Sequence, residues 1–390
     1  MNNAIRILML VDFSDEYSRA FLRGISKYAE VHGPWSFCRM PPSFREKHGI
    51  EGVLKFAKEW RADGIIANLY DNDELKMVVE SGICIIAQDF KERFEGIPNL
   101  TGNYFHTGEL AAEYFLSKGY ENFAFSGFSE YVWSRERSEG YIDRIQKEGY
   151  KVNLFNTKDN AEHEMWYYND SPLSQWLKDL AKPLAVFTCD DNHAIQIVEA
   201  CKINRIKVPD EVSVLGVDND EMNCNLSNPP LSSIALDVEN AGYKVGELME
   251  SMINKEHDFY EDIIVEPTTI ISRQSTDVFA IKDTHVLKAL RYISDNINEK
   301  IQVADVLDNV PLCRRSLEKR FTTIIGRSIY QEILYQKMER ATFLLLATKL
   351  SVFDIAIQCG LDDDKNFSRL FQKMRNYTPL QYRKKFSRHN

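Results

Sequence analysis

At 390 residues the chain exceeds one ordinary hydrophobic core and is expected to divide into two or three domains. Its net charge of −10 is unevenly spread: residues 282–390 carry 20 Lys+Arg against 12 Asp+Glu, a net of +8, whereas residues 1–281 carry 28 against 46, a net of −18. An acidic body joined to a basic tail suits a protein in which only the tail meets phosphates, so the overall acidity does not exclude a nucleic-acid partner. The seven cysteines are odd in number and show no CxxC spacing, and reduced thiols are expected. The apolar run at 4–11 is too short for a secretory signal, and no stretch approaches the ~20 apolar residues of a membrane span. A cytoplasmic chain with no membrane partner is expected.

In chain order, short apolar runs at 5–11, 64–69, 82–87, 123–127, 185–188 and 212–217 read as buried strands. Helix-period segments lie between them, among them 17–30 and 107–118. Strands alternating with amphipathic helices predict an α/β body with a mostly parallel, doubly wound sheet, or two of them; periodicity does not separate one from two. Residues 266–276 form the last strand-like stretch, and a helix is predicted from 285 to 298. The body is therefore assigned to 1–277 and a linker to 278–284.

Ligands of doubly wound sheets bind beyond the carboxyl ends of the strands. The residues falling there are Asp12, Asn68, Asp89, Asp190 or Asp191, and Asp218. Neither GxGxxG nor GxxxxGK[ST] occurs, so a phosphate cradle is not indicated. Carboxylates and amides suit the hydroxyls of a polyol, and Phe13, Tyr17 and Trp133 offer faces for sugar C–H groups. The competing reading of each strand-end Asp is a cap for the following helix. Asp218-Asn219-Asp220 resembles the opening of a calcium loop, but Asn223 and Pro229 stand where that loop needs Gly and Glu. No His pair has metal-ligand spacing, and no nucleophile–base pair or cofactor fingerprint appears. Neither enzyme chemistry, a metal nor a cofactor is expected.

The basic tail, 285–390, holds two helix-turn-helix patterns in tandem, at 302–321 and 352–373. Each pairs a short apolar-periodic helix with a longer one that is basic on one face. In the first, Arg315 and Lys319 are spaced i, i+4, with Arg314, Ser316 and Glu318 beside them; in the second, Lys365 and Arg369 repeat the spacing, with Asn366 adjacent. Arg and Lys suit guanine, Asn suits adenine, and Glu can accept from cytosine N4 in a major groove. A long helix near 330–347 is expected to hold the two units about one DNA turn apart, on double-stranded DNA. Cys313 stands at a position that favours a Ser cap.

The tail resembles the AraC-type transcription-regulator domain. The matching pieces are LeuGluLysArgPhe (317–321), Gly326, ArgAla (340–341), IleAla (355–356), CysGly (359–360), PheSerArgLeuPhe (367–371) and ThrProLeuGlnTyrArg (378–383). The body resembles the sugar-binding domain of the lactose/galactose-repressor family, itself similar to periplasmic sugar-binding proteins. The carrying stretches are ArgSerGluGlyTyr (137–141), Asp190-Asp191 with Ala194, LeuGlyValAspAsnAsp (215–220), ProProLeuSerSerIle (229–234) and ArgGlnSerThr (273–276). The resemblance implies a periplasmic-binding-protein-like body of two doubly wound parallel-sheet lobes followed by an all-α tandem helix-turn-helix domain. The fusion is similar to regulators of pentose operons, which implies D-xylose as effector and activation of pentose-catabolism genes, through RNA polymerase, as output. Sugar contacts carried over fall on Arg137 and Asp218, then Asp190, with Trp133, Glu136, Asp12, Tyr17, Arg19 and Asp89 as further candidates. A homodimer formed through the body is expected. Alternative readings are a regulator answering another pentose or another sugar, one whose sensor has no sugar, and a sugar-binding component of transport or chemotaxis.

Overall fold

The computed structural model describes residues 4–11, 14–157, 171–257, 259–281, 283–361 and 364–386. Asp12 and Phe13 lie outside them. The body is two lobes, each built on one six-stranded sheet, and the described residues of the tail form only helices and their connections. The first sheet runs β11-β5-β4-β3-β1-β2, with β1 Ile5–Leu10, β2 Trp35–Arg39, β3 Gly64–Asn68, β4 Cys84–Gln88, β5 Asn99–Gly102 and β11 Ile263–Val265. The second runs β12-β10-β9-β8-β6-β7, with β6 Asn122–Phe128, β7 Val152–Thr157, β8 Leu184–Thr188, β9 Val212–Val217, β10 Ser232–Leu236 and β12 Pro267–Ile271. Among the described residues all pairings are parallel except β10 with β12. The sheet count left open by periodicity is thus two.

The six apolar runs became β1, β3, β4, β6, β8 and β9, the central strands, because only strands covered on both faces read as continuous apolar runs. The six strands missing from that series are edge strands or carry polar residues. β7 alternates as ValAsnLeuPheAsnThr with Leu154 exposed, and β2 lies at the other sheet's edge with Phe37 exposed.

Among the described residues the chain crosses between lobes three times. β5 leads to α4 (Tyr104–Ser117), β10 to α9 (Val238–Asn254), and β11 to β12. α9 packs on α1 (Glu16–His32), and α4 on α5 (Val132–Lys147). The second pair is close because Gly108 and Gly140 face it: a Cβ on Gly140 would lie 1.9 Å from the Phe105 carbonyl oxygen, and one on Gly108 would lie 2.1 Å from that of Arg137. Only glycine permits that approach. It brings the first turn of α4 beside the middle of α5, which is where Tyr104 and Arg137 stand.

The tail begins with α10 (Thr284–Asp295). The first helix-turn-helix is α11 (Val303–Asp308) with α12 (Arg314–Ile325), and the second is α14 (Val352–Gln358) with α15 (Asp364–Arg375), followed by α16 (Pro379–Phe386). Between the units runs α13 (Ile329–Ala347), 19 residues, or about 28 Å of helix. Its first turns enter the core of the first unit through Ile329 and Ile333; its later turns enter that of the second through Met338, Ala341 and Leu345. Buried Lys337 donates to the carbonyls of Glu299 (2.9 Å) and Gly360 (2.8 Å), tying the units together. Phe321 and Phe371, one turn before the ends of α12 and α15, are core residues with no exposed surface.

Candidate functional site

The lobes face each other across a cleft of about 380 Å³, the size range of small-molecule sites. It is lined from the first lobe by Asp15, Tyr17, Arg45, Asn68, Gln88 and Asp89, and from the second by Tyr104, Trp133, Arg137, Asp190, Asn192 and Asp218.

Arg137 rises from α5 with 3% of its surface exposed. One guanidinium nitrogen donates to the Cys189 carbonyl, and the group lies 5.3 Å from the Tyr104 ring centroid and 5.5 Å from that of Trp133. Packing therefore aims it rather than a carboxylate clasp: its nearest approach to Asp218 is 3.6 Å, and its buried Nε carries no hydrogen bond. Asp218 follows β9 directly with φ +96°, a backbone that L residues rarely adopt, and its buried Oδ1 is likewise without a hydrogen bond. Strain of that kind costs of order 1–3 kcal/mol and concentrates at functional positions. Burial pushes the Asp218 carboxyl up to about 7, with Arg137 pulling it back.

Tyr17 presents a buried hydroxyl with no partner from the first turn of α1. Burial raises its pKa, and Asp89 and Asp218 add to the rise. Asp89 directly follows β4 and accepts from Thr101 Oγ1 (2.5 Å) and Tyr104 Oη (2.8 Å); burial lifts its carboxyl to about 6 against those bonds. Gln88 Oε1 is a further buried acceptor with no partner. An aromatic wall closes one side, where Tyr131 and Trp133 stack with ring centroids 5.5 Å apart and Phe90 and Phe128 abut them. Unsatisfied donors and acceptors beside aromatic faces match a neutral polyol.

Asp190 is where the competing cap reading holds. Its Oδ1 accepts from His193 N (2.7 Å) at the start of α7 (Asp191–Ile203) and from His193 Nδ1 (2.8 Å). Burial raises its pKa, but the His193 contacts outweigh that and hold it below the usual carboxylate value. Its Oδ1 is thus occupied, although the residue lines the cleft. Asp191 is turned inward, accepting from Ser233 Oγ (2.6 Å) and Asp220 N (2.8 Å).

Two expected sugar residues do not line the cleft. Glu136 pairs with both terminal nitrogens of Arg93, one at 2.7 Å, and Arg19 reaches Asp220 at 3.0 Å. Both pairs join the lobes at the cleft rim, as do Arg135 and Glu92 at 2.9 Å. Arg45, Tyr104 and Asp15 line the cleft without having been singled out in the sequence. Arg45 comes from α2 (Pro42–Trp60), donates to Asn68 O (2.6 Å), pairs with Glu74, and stacks 3.8 Å over Tyr70. Arg45 arrives from a helix, and Tyr104 follows β5, whose AsnLeuThrGly sequence has no apolar run to mark a strand end. Asp15 is the N-cap of α1, with a cap bond to Ser18 N.

In the tail, Arg314, Arg315 and Lys319 are exposed on α12 and Ser316 and Glu318 are half-buried; on α15, Asn366 and Arg369 are exposed. The Lys365 side chain lies outside the described residues. Cys313 is the N-cap of α12 and makes no side-chain cap bond, whereas Ser328 and Ser351 cap α13 and α14.

A periplasmic binding protein-like domain model matches residues 112–276 and a helix-turn-helix domain model matches 308–385. The xylose operon regulatory protein of Escherichia coli K12 is 28% identical over 97% of this chain and 96% of its own length. That of Haemophilus influenzae Rd is 29% identical over 97% and 98%. The solved structure of the xylose-binding transcription activator XylR aligns over 99% of both chains, with TM-score 0.61 and 26% identity. A periplasmic binding protein/LacI regulator from Alkaliphilus metalliredigens, complexed with D-xylulofuranose, shares the body fold over 70% of this chain and 99% of its own, with TM-score 0.58 and 21% identity. The chain joins a periplasmic binding protein-like body to a helix-turn-helix domain, and over nearly its whole length it is similar to the xylose operon regulatory proteins.

Proposed function

We propose that the chain is a D-xylose-responsive activator of pentose-catabolism genes. The observation that carries this reading is the pair Arg137 and Asp218 at the cleft, whose buried Nε and Oδ1 are each without a hydrogen bond. Asp218 accepts from sugar hydroxyls, Arg137 donates to ring or hydroxyl oxygens, and Trp133 covers an apolar face of the ring. Tyr17 Oη and Gln88 Oε1 supply a donor and an acceptor from the opposite lobe, so one ligand binds both lobes and favours their closed arrangement. The whole-length similarity to xylose operon regulatory proteins supports the pentose.

The output side rests on the exposed basic faces of α12 and α15, which enter successive major grooves through Arg314, Arg315, Lys319 and Arg369. The regulator acts as a homodimer and engages RNA polymerase at the promoter. It needs no metal or cofactor for either step. Thermal unfolding with xylose, arabinose, ribose, lyxose, glucose and galactose tests the effector. A ligand at 100 times its Kd adds about 2.7 kcal/mol of stability. Stabilisation by xylose above the other sugars is expected; none with any sugar overturns the reading.

A further inference from the structure

The three crossings between lobes form one hydrogen-bonded hinge. Asn103 N donates to Val265 O (2.9 Å) and its Nδ2 to Glu266 Oε2 (3.0 Å), while Asp237 N donates to Glu266 O (2.9 Å). Beside them Thr268 Oγ1 donates to Ala235 O (3.0 Å), joining β12 to β10. Any change in the angle between lobes passes through these few residues.

The last helix of the DNA-reading domain rests on this hinge. Tyr382 of α16 donates its hydroxyl to Thr268 O (3.0 Å), and its ring is packed between Phe371 and Phe386 in the core of the second helix-turn-helix unit. Beside that bond is a groove of about 160 Å³ whose sensor wall includes Ala20, Leu236, Asp237 and Asn240 and whose other wall includes Lys385 and Phe386. Asp237 is the crossing residue between β10 and α9. Burial lifts its carboxyl to about 7, with Asn240, Lys244 and Lys385 drawing it down.

The seat is linked at both ends. On the sensor side, α1 lines the cleft with Tyr17 and Ser18 and the groove with Ala20. On the DNA side, Arg383 Nε donates to Leu345 O (3.1 Å), fastening α16 to the helix that spans both reading units.

We propose that the hinge face of the sensor is the docking surface for α16, and that α16 reads lobe closure and passes it to the recognition helices through α13. This rests on the sugar-responsive reading above. It adds where the coupling crosses between domains. A sensor whose hinge turns under a bonded helix must shift that helix or break its contacts, and either event changes how the second unit is presented to DNA. Contacts made differently in the two states are what gives an effector its influence on a distant site.

The test uses the full-length protein, D-xylose, and a duplex selected by the wild-type protein from a random-sequence pool. The double variant Tyr382→Phe, Lys385→Ala keeps the aromatic ring in the core and removes the hydroxyl and the ammonium. Asp237→Asn alters the sensor wall alone. For each, duplex affinity is measured with and without D-xylose, D-xylose affinity is measured by calorimetry, and backbone hydrogen exchange is followed across 235–238, 265–269 and 379–386. Effector coupling of this type is typically about 5–150-fold. Both variants are expected to bind D-xylose within about twofold of wild type, while the D-xylose-dependent change in duplex affinity falls at least about threefold. Exchange at the hinge and in α16 is expected to rise.

An undiminished D-xylose effect in both variants overturns the proposal and leaves the sugar-responsive reading standing. A wild-type protein whose duplex affinity is indifferent to D-xylose overturns both. If the double variant loses sugar and duplex binding together it has misfolded, and Asp237→Asn, outside the DNA-reading domain, then decides.

Discussion

Arg137 Nη2 and Asp218 Oδ1 stand 3.6 Å apart at the cleft, close enough to attract and too far for a good hydrogen bond. A buried ion pair closed at bonding distance would be a structural clasp. Held slightly open, with Asp218 at φ +96° and Oδ1 unbonded, it leaves both groups for a third partner.

Replacing Asp218 tests that arrangement. Asn tolerates the positive φ better than Ala, so Asp218→Asn isolates the charge. The variant is expected to lose most of the ~2.7 kcal/mol stabilisation that saturating D-xylose gives the wild type, with duplex affinity in the absence of sugar unchanged. A full thermal shift in the variant would remove Asp218 from the site.

The same residue predicts a pH dependence. Its folded pKa of about 7 lies above the ordinary 3.8, so between about pH 4 and 7 the native state holds a proton that the unfolded state releases. Its contribution to stability therefore falls as pH rises through that window. Sugar hydroxyls donating to Asp218 favour the charged form, so D-xylose should stabilise more at pH 7.5 than at pH 5.5. Unfolding of wild type and Asp218→Asn at both pH values checks this: the difference between the proteins should grow with pH, and equal differences would contradict it.

Glu136 stands outside the cleft lining, paired with Arg93. Its pair with Arg93 is partly exposed and joins the lobes, and such pairs contribute about 0–1 kcal/mol. Glu136→Gln is expected to weaken D-xylose binding by no more than about fivefold. A loss of a hundredfold by calorimetry would place Glu136 in contact with the ligand.

In the tail, Arg369→Ala removes an exposed arginine from α15 and is expected to cost roughly 1–3 kcal/mol of duplex binding, leaving D-xylose affinity alone. Loss of both would indicate misfolding. A titration of the selected duplex and calorimetry with D-xylose read the two effects separately.

Cys313 offers a gain. It occupies the N-cap of α12 with extended backbone and no cap bond. Cys313→Ser is expected to stabilise the DNA-reading domain by about 1 kcal/mol, seen as slower hydrogen exchange in the first turn of α12. No change would mean that the cap amides are already satisfied.

What the sequence determined by itself were properties carried by local pattern. Continuous apolar runs marked the six central strands because burial on both faces leaves no room for polar residues. The tandem helix-turn-helix showed in repeated spacing, and the charge split between body and tail showed in composition. Asp89 and Asp218 could be named because a doubly wound sheet places strand-end residues at its ligand face. Tertiary structure alone decided the rest. Arg45 reaches the cleft from a helix and Tyr104 from the end of β5, a strand without an apolar run, and Tyr104 meets Arg137 only because Gly108 and Gly140 let α4 and α5 approach. Asp190 and Asp218 look alike in sequence, yet Asp190 Oδ1 is taken by His193 while Asp218 Oδ1 is open. Glu136 and Arg19 lie near the right places in the chain but turn to partners on the opposite lobe. The seating of α16 on the hinge joins Tyr382 to Thr268 across 114 positions, a distance at which pattern carries no information and only the packing of one domain on another decides who meets whom.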